Sequence, residues 1–314
     1  MRRFVYILTM IWLASCTKQE AMLSLDEQAR ADSAALHVAV MPTLGNLPVY
    51  FADRSGLWDT LGLDVRLLRY EAQIDIDTAL IGRHAEVGAS DLIRALRLYD
   101  RETPVRALFT TTEPITLVAV KGKRVSKIHQ LKERMIAISR LCITDYWCDQ
   151  FIDTLGTGQP DYYRPQVHNV KVRADMLRTG LMDAAMLPEP YTMWMAATGN
   201  VLLQTSTDKD PQLSAWIALS EALNDSARSK QIALFTEAYR MAVERINEGV
   251  QADLVNDILC DEYGLPQEVA DSIQLPTLNT EGSPQRTDID KAIEWLKGRQ
   301  RMPKDVKTDS LFMQ

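Results

Sequence analysis

The sequence has few of the residues that build metal centres and disulfide frameworks. It contains four cysteines and four histidines in 314 residues. The histidines lie far apart and match no metal-ligand spacing, so we predict structural or surface roles for them and no metal site. The three cysteines after residue 16 form an odd set, which does not suit a disulfide framework. We expect Cys142, Cys148 and Cys260 to be free thiols that pack as small apolar side chains.

Signatures of nucleotide and nucleic-acid binding are also missing. The chain has no P-loop, no nucleophile elbow and no Rossmann glycine pattern, and nothing in it indicates a cofactor. Its net charge is −7, whereas binding to a phosphate backbone needs clustered lysine and arginine, so we predict no nucleic-acid partner. With 46% hydrophobic and 25% charged residues, the composition is that of a soluble globular protein long enough for two domains.

One apolar run stands at the N-terminus. Arg2 and Arg3 precede the run from Phe4 to Leu13, which is too short for a typical membrane-spanning helix. The small residues of Leu13-Ala14-Ser15-Cys16 then lead to a cysteine, in an order that resembles the lipobox of bacterial lipoproteins. The resemblance implies a signal peptide over residues 1–16 that ends at the lipidated Cys16. The alternative is an ordinary secretory signal with a chance cysteine.

Residues 17–35 are polar and poor in aromatics, which predicts a tether between the anchor and the folded part. The first β-loop-α unit follows. Leu36 to Val40 has strand composition, Met41 to Gly45 reads as a turn-rich loop, and Asn46 is placed to cap a helix with Pro48 in its first turn. Gly56 ends that helix.

Short strands and helices continue to alternate along the chain, which predicts an α/β fold with mostly parallel sheets. Among the later elements we predict a strand over Val167 to Val172. A further strand, Asp183 to Leu187, ends at Pro188-Glu189-Pro190. A long amphipathic helix is predicted from Asp225 to Asn247.

Two short sequence motifs, together with the spacing between them, resemble those of a known family. Gly56-Leu57-Trp58 and Gly62-Leu63-Asp64-Val65 resemble the start of type II periplasmic solute-binding proteins that serve ABC importers for nitrate, sulfonates and thiamine precursors. The resemblance implies a two-lobed type II periplasmic-binding-protein-like fold, with two mostly parallel sheets, a hinge and a central cleft. Lobe one would comprise residues 36–116 plus 217–314, and lobe two residues 117–216.

The same resemblance implies a function. The chain would be a monomeric, lipid-anchored protein on the periplasmic side of a bacterial membrane. It would capture a small-molecule solute in the cleft between the lobes and deliver it to an ABC permease subunit, without catalysis and without a cofactor. Two alternatives stay open: an enzyme of the thiamine-pyrimidine-synthase type on the same fold, or a sensory or scaffold lipoprotein without a transport role. The synthases carry a cysteine cluster and histidines for iron, which this sequence does not match.

Strand ends and helix N-termini that face such a cleft supply the candidate ligand-binding residues. In lobe one they are Thr43, Leu44, Asn46, Ser90, Asp91 and Thr110. In lobe two they are Arg140, Thr144, Asp145, Tyr146 and Glu189. Several have an equally good structural explanation, because Asn46, Asp91 and Thr144 are placed to cap helices.

Glu189 is harder to explain structurally, because two prolines hold it at the end of an apolar strand. In the resembling family a Glu-Pro at this place borders the pocket. The acidic candidates Asp91, Asp145 and Glu189 outnumber Arg140, which favours a neutral or cationic solute over a purely anionic one. An Arg140–Glu189 ion pair would weaken that argument.

Overall fold

Strands and helices alternate along the chain, as the sequence predicts. The computed structural model describes residues 32–111, 113–153, 162–279 and 282–302. The strands are β1 (Leu36–Val40), β2 (Val65–Arg69), β3 (Val87–Asp91), β4 (Val105–Thr110), β5 (Ile115–Ala119), β6 (Ile136–Ala137), β7 (Ala184–Pro188), β8 (Val201–Thr205) and β9 (Ser214–Leu219). They form two sheets within the unit that begins at Ala35.

The helices cover the faces and edges of these sheets. They are α1 (Leu47–Ser55), α2 (Leu57–Thr60), α3 (Gln73–Ile81), α4 (Leu92–Leu98), α5 (Ile143–Asp153), α6 (Val170–Arg178), α7 (Tyr191–Ala197), α8 (Ser220–Asn224), α9 (Ser226–Asn247), α10 (Ala252–Asp261), α11 (Gln267–Ala270) and α12 (Arg286–Gly298). Short 3-10 turns stand at Leu44–Asn46, Tyr99–Arg101 and Ile128–Leu131.

The first sheet has the strand order β2-β1-β3-β9-β4 and the second has the order β6-β7-β5-β8. The predicted α/β class with two sheets is confirmed, but the pairing is mixed rather than mostly parallel. β9 is antiparallel to β3 and β4, and β5 is antiparallel to β7 and β8. β1 is parallel to β2 and β3, and β6 to β7.

The mixed pairing follows from the way the chain passes between the sheets. It leaves the first sheet at the end of β4 and enters the second with β5, and it returns from β8 to β9. A strand that arrives from the other sheet starts at the edge where its neighbours end. Accordingly Ser214 at the start of β9 pairs with Asp91 at the end of β3, and Ile115 at the start of β5 pairs with Pro188 at the end of β7. The lobe bounds derived from the sequence stay a prediction.

Helix α9 packs over the first sheet through an apolar stripe that includes Phe235 and Tyr239. Both rings pack against Trp216 on β9, with centroid distances of 5.1 Å and 6.1 Å. The Tyr239 hydroxyl and the Trp216 indole N–H both donate to the carbonyl oxygen of Gly45, at 2.9 Å and 3.3 Å. The core thereby fixes the loop after β1, which is the loop that lines the cavity described next.

Candidate functional site

A cavity lies where the strands that end at the facing edges of the two sheets meet, and we call it the central cavity. It offers about 60 Å³ of space to water-sized molecules. On the side of the first sheet it is lined by Met41, Thr43, Asn46, Gln73, Ala89, Ser90, Asp91, Glu113 and Ser214. On the side of the second sheet it is lined by Ile115, Ser139, Cys142, Ile143, Thr144, His168, Arg173 and Pro188.

The loop after β1 forms one wall and is held by its own side chains. The Asn46 side chain accepts a hydrogen bond from Met41 N at 3.2 Å and donates one to Thr43 Oγ1 at 3.0 Å. The hydroxyl of Tyr263 donates to Thr43 O at 2.9 Å. Asn46 makes no side-chain cap of α1, so its role is to shape this loop rather than to cap the helix. Thr43 and Asn46 lie in the lining, as the sequence predicts for cleft residues.

Asp91 connects the two sides of the central cavity. Its Oδ1 accepts from Arg94 N at 2.9 Å and caps α4, while its Oδ2 accepts from Ile143 N at 3.2 Å at the start of α5. Burial raises the pKa of Asp91 to about 6, against the opposing charge of Arg94 and the two N–H donors. The predicted cap is confirmed, and the second carboxylate oxygen joins the two sides.

Glu113 is a lining residue that sequence reasoning missed. It lies between β4 and β5, where the chain passes from one sheet to the other. Burial raises the pKa of Glu113 to about 7, although the Thr43 and Ser214 hydroxyls and the Gly45 N–H lower it. Its Oε1 is buried and has no hydrogen-bond partner within the described residues.

The hydroxyl of Ser90 has the same property, because within the described ranges it too is buried and finds no partner. Buried polar atoms are nearly always hydrogen-bonded, and an unmet one costs about 1–3 kcal/mol. Ser90 Oγ and Glu113 Oε1 belong to residues that line the same small space. The central cavity therefore presents polar atoms whose hydrogen-bonding capacity the described protein does not use.

The wall on the side of the second sheet is a loop closed by hydroxyl groups. Thr144 Oγ1 accepts from Ser139 N at 3.1 Å and donates to Ser139 O at 3.0 Å. Ser139 Oγ lies 3.1 Å from His168 Nδ1. Burial, together with the positive charges of Arg94 and Arg173, lowers the pKa of His168. His168 is therefore a neutral ring at neutral pH.

Arg173 brings a cation to the lining. It is 3% exposed, its Nε donates to Met186 O at 2.9 Å, and its Nη1 donates to Val167 O at 2.7 Å. Burial lowers the pKa of Arg173 to about 10. Within the described residues, backbone carbonyl oxygens rather than a carboxylate accept hydrogen bonds from this guanidinium. No ion pair there neutralises its charge.

Six predicted site residues lie outside the lining, and three of them lie in or beside one cluster of charges. Asp145 accepts from Arg164 Nη1 at 2.8 Å, and Arg299 Nε donates to Asp149 Oδ2 at 2.9 Å. We call this the arginine-paired cluster, formed by Asp145, Asp149, Arg164 and Arg299. Arg140 lies beside it and donates to Arg164 O at 3.3 Å. Tyr146 packs against Trp147 and Trp295 at 5.0 Å and 5.9 Å.

Glu189 is the fourth. Its Oε2 accepts from Met193 N at 3.1 Å in the first turn of α7. Burial raises the pKa of Glu189 to about 7, and the charge of Glu113 adds to the effect. Its main-chain oxygen accepts from Leu44 N at 3.0 Å, which is a second link between the two sides of the central cavity.

Two further candidates support the site without lining it. Leu44 is buried beneath the loop after β1. Thr110 is buried at the end of β4, where its N–H donates to Gly282 O at 2.9 Å. Within the described ranges, no group of three or more His, Cys, Asp and Glu is arranged to hold a metal ion, and no helix is long and apolar enough to cross a membrane.

Comparison with known proteins supports the fold. The family model described as "NMT1/THI5 like" matches residues 45–202. The periplasmic aliphatic sulphonate binding protein SsuA from Escherichia coli has 16% identity and a TM-score of 0.68, over 88% of this chain and 97% of that one. The periplasmic nitrate-binding protein NrtA from Synechocystis PCC 6803 has 13% identity and a TM-score of 0.72, over 88% and 84%.

The alkanesulfonate-binding protein SsuA from Xanthomonas axonopodis pv. citri, solved with MOPS bound, has 14% identity and a TM-score of 0.72, over 89% of this chain and 98% of that one. No curated protein matches the sequence at a significant level. The two-lobed periplasmic-binding-protein fold expected from the sequence is confirmed by these likenesses.

Proposed function

We propose that this chain, which belongs to the NMT1/THI5-like family, is an extracytoplasmic protein that binds a small polar solute in the central cavity and delivers it to an ABC importer. Structural neighbours named as sulfonate- and nitrate-binding proteins support a binding role on this fold. The observation that carries the proposal is the pair of unpartnered buried oxygens, Ser90 Oγ and Glu113 Oε1, in a cavity lined from both sheets.

The proposed ligand contacts come from both sides of the central cavity. On the side of the first sheet they are Thr43, Asn46, Ser90 and Asp91, together with Glu113. On the side of the second sheet they are Thr144 and Arg173. Hydrogen bonds between the two sides, such as Ile143 N to Asp91 Oδ2, hold the cavity closed. Capture of a solute therefore requires a hinge opening, which is the usual motion of two lobes around a ligand.

The attachment to a membrane is a second part of the proposal. Residues 1–16 and most of the tether at 17–35 lie outside the described residues, and the proposal rests on the order of basic residues, apolar run and Leu13-Ala14-Ser15-Cys16. A single acyl chain binds membranes only marginally, whereas several chains hold firmly. We expect Cys16→Ser to move the protein from the membrane fraction to the soluble fraction. A wild-type N-terminus without a lipid mass would contradict the anchor.

Native mass spectrometry of the gently purified full chain tests the binding function. We expect a small molecule to accompany the wild-type protein. We expect Ala89→Leu to lose it, because Ala89 lines the central cavity and a larger side chain there fills the space. Leu202→Ala, at an exposed position of β8, is the control that should keep the molecule.

Incubation of the released compound with the protein then separates binding from catalysis, since a binding protein returns it unchanged. A wild-type chain that carries no small molecule, and that no candidate solute stabilises, would contradict the proposed function.

A further inference from the structure

We propose that the solute of the central cavity is a small organic cation with N–H donors, and that Glu113 recognises its positive end with Asp91 beside it. This inference rests on the proposed solute-binding function and adds the chemical class of the solute. It also assigns a specificity-determining role to Glu113, which the sequence alone did not indicate.

The first argument is the unmet hydrogen-bonding capacity around Glu113. Glu113 Oε1 and Ser90 Oγ are buried and unpartnered within the described residues, and both residues line the central cavity. Among the described residues, Asp91 Oδ2 accepts a hydrogen bond only from Ile143 N, at 3.2 Å. Ionised carboxylates accept hydrogen bonds and do not donate them. A ligand that supplies N–H donors and positive charge meets all three oxygens.

The second argument is the sign of the charges that face Glu113. Asp91 on β3 and Glu189 at the end of β7 both interact electrostatically with Glu113, and both are acids. From α9 and from the segment after α10 Glu113 meets Tyr239 and Tyr263, whose phenols burial keeps neutral by raising the pKa of each. An anion placed here would be repelled, while a cation would be attracted.

The cations nearby do not cancel these charges. Arg94 donates through Nε to Asp77 Oδ2 at 2.9 Å and is engaged in that ion pair. Arg173 lies on the side of the second sheet and is held by the carbonyl oxygens of Met186 and Val167. The side chains that act on the pKa of Arg173 are Cys142 and Tyr191, and neither Asp91 nor Glu113 is among them. The carboxylates of Asp91 and Glu113 and the guanidinium of Arg173 therefore belong to opposite sides of the central cavity.

The protonation of Glu113 predicts in which direction the affinity for a cation changes with pH, and this direction can be measured. Burial raises the pKa of Glu113 to about 7, so at pH 6 this carboxyl is mostly protonated and at pH 8 mostly ionised. A cation binds the ionised form and releases the proton, so its affinity should rise about tenfold from pH 6 to pH 8. An anion, or a neutral acceptor that uses the protonated carboxyl as a donor, shows the opposite slope.

The test uses the full chain in detergent with probes matched in size to a cavity of about 60 Å³. Methylguanidinium and ethylammonium are the cations, ethanesulfonate is the anion and propanamide is the neutral compound. Thermal melting at pH 6 and pH 8 identifies the stabilising class, and titration calorimetry gives the affinity and the number of protons released. The compound that accompanies the purified protein is identified and titrated in the same way.

We expect a cation to stabilise the protein, more at pH 8 than at pH 6, with release of up to one proton. Glu113→Gln should weaken cation binding at least about tenfold and abolish the proton release. Glu237→Gln is the control, because Glu237 is an acid at an exposed position of α9 and lies outside the lining. We expect that variant to change the affinity less than about threefold.

The outcomes separate this inference from the function it rests on. Stabilisation by the anion or the neutral compound, an anionic or neutral co-purified compound, or cation binding that Glu113→Gln leaves intact would each overturn the inference and keep the solute-binding function. If no probe of any class stabilises the protein and no small molecule accompanies it, both are wrong. The melting temperature of each variant without ligand shows whether it is folded.

Discussion

The arginine-paired cluster and the central cavity place the same acidic residue types in opposite electrostatic settings. In the cluster, burial opposes ionisation of Asp149, but the guanidiniums of Arg299 and Arg164 outweigh it and lower the pKa. In the central cavity, burial dominates and raises the pKa of Asp91 and of Glu113. The comparison separates a buried carboxylate that arginines keep ionised from buried carboxylates whose ionisation burial opposes.

The two carboxylates, those of Asp149 and Glu113, differ in their hydrogen-bond partners rather than in how deeply they are buried. Asp149 accepts from Trp295 Nε1 at 2.8 Å and from Arg299 Nε at 2.9 Å, and it also holds Arg164. Glu113 Oε1, by contrast, is buried without a partner in the described part of the chain. An arrangement that costs stability in the folded protein is typical of a functional site, because structure elsewhere compensates for it.

Breaking the cluster should have the largest effect. Arg164→Met leaves Asp145, whose side chain is 1% exposed, with the N–H of Leu141 at 2.9 Å and the more distant Arg299 at 3.5 Å. We expect the free energy of unfolding to fall by about 2–4 kcal/mol, as for the loss of one partner of a buried ion pair. Urea denaturation at pH 7 measures it.

The matched control is Arg54→Met, which removes the exposed ion pair between Arg54 and Asp261. That change should cost no more than about 1 kcal/mol. Equal costs for the two variants would show that burial adds nothing to the pairing in the cluster.

Removing the charge from the central cavity should act in the opposite direction. The pKa of Glu113 is about 7 in the folded protein, against an ordinary value of 4.5 for a glutamate side chain. The folded state therefore binds the proton more tightly, and stability is lost as the pH rises from about 4.5 to 7. We expect Glu113→Gln to raise the free energy of unfolding by on the order of 1–3 kcal/mol at pH 8, and by less than about 1 kcal/mol at pH 5.

Denaturant titrations at the two pH values measure this change. A variant that is less stable than the wild-type protein at pH 8 would mean that the carboxylate of Glu113 is satisfied in the folded state. The cluster gives no such slope over this range, because the pKa of Asp149 is lowered and its contribution is lost only in more acidic solution.

The smallest expected effects come from two buried hydroxyls. Thr144 Oγ1 is bonded to both the N–H and the carbonyl oxygen of Ser139, so Thr144→Val should cost about 1–2 kcal/mol. Ser90 Oγ has no partner within the described ranges, so Ser90→Ala should raise stability by about 1 kcal/mol, because it removes an unmet buried polar group. Thermal melting of both variants checks the contrast, and a loss for Ser90→Ala would show that its hydroxyl is used in the fold.

Local sequence signals were sufficient for much of the framework. The cap at Asp91 is confirmed, since its carboxylate accepts an N–H group of the helix that follows. The helix predicted from Asp225 to Asn247 is confirmed as well, with Asp225 as its cap. The strand predicted over Val167 to Val172 is wrong, because residues 167–169 form no strand and α6 begins at Val170. Asn169 caps that helix by accepting Val172 N at 2.9 Å, and this cap outweighs the β-branched valines.

The candidate site could be predicted only in part. Asp145 and Glu189 follow the same local rules as Asp91, yet a distant arginine engages one and a helix N–H engages the other. Glu113-Pro114 and Glu189-Pro190 are the same dipeptide, and only the tertiary structure shows which carboxylate lines the central cavity. A second Glu-Pro dipeptide, placed between two strands, is a sequence signal that would have directed attention to Glu113.

Hydrogen bonds that join the sides of the central cavity, such as Ile143 N to Asp91 Oδ2 and Leu44 N to Glu189 O, would also determine how fast a bound molecule leaves in the proposed function. A solute enclosed there would depart only after these bonds break, so opening of the protein would set the dissociation rate. Solutes of quite different affinity should then share nearly the same residence time and differ mainly in how often an encounter ends in capture.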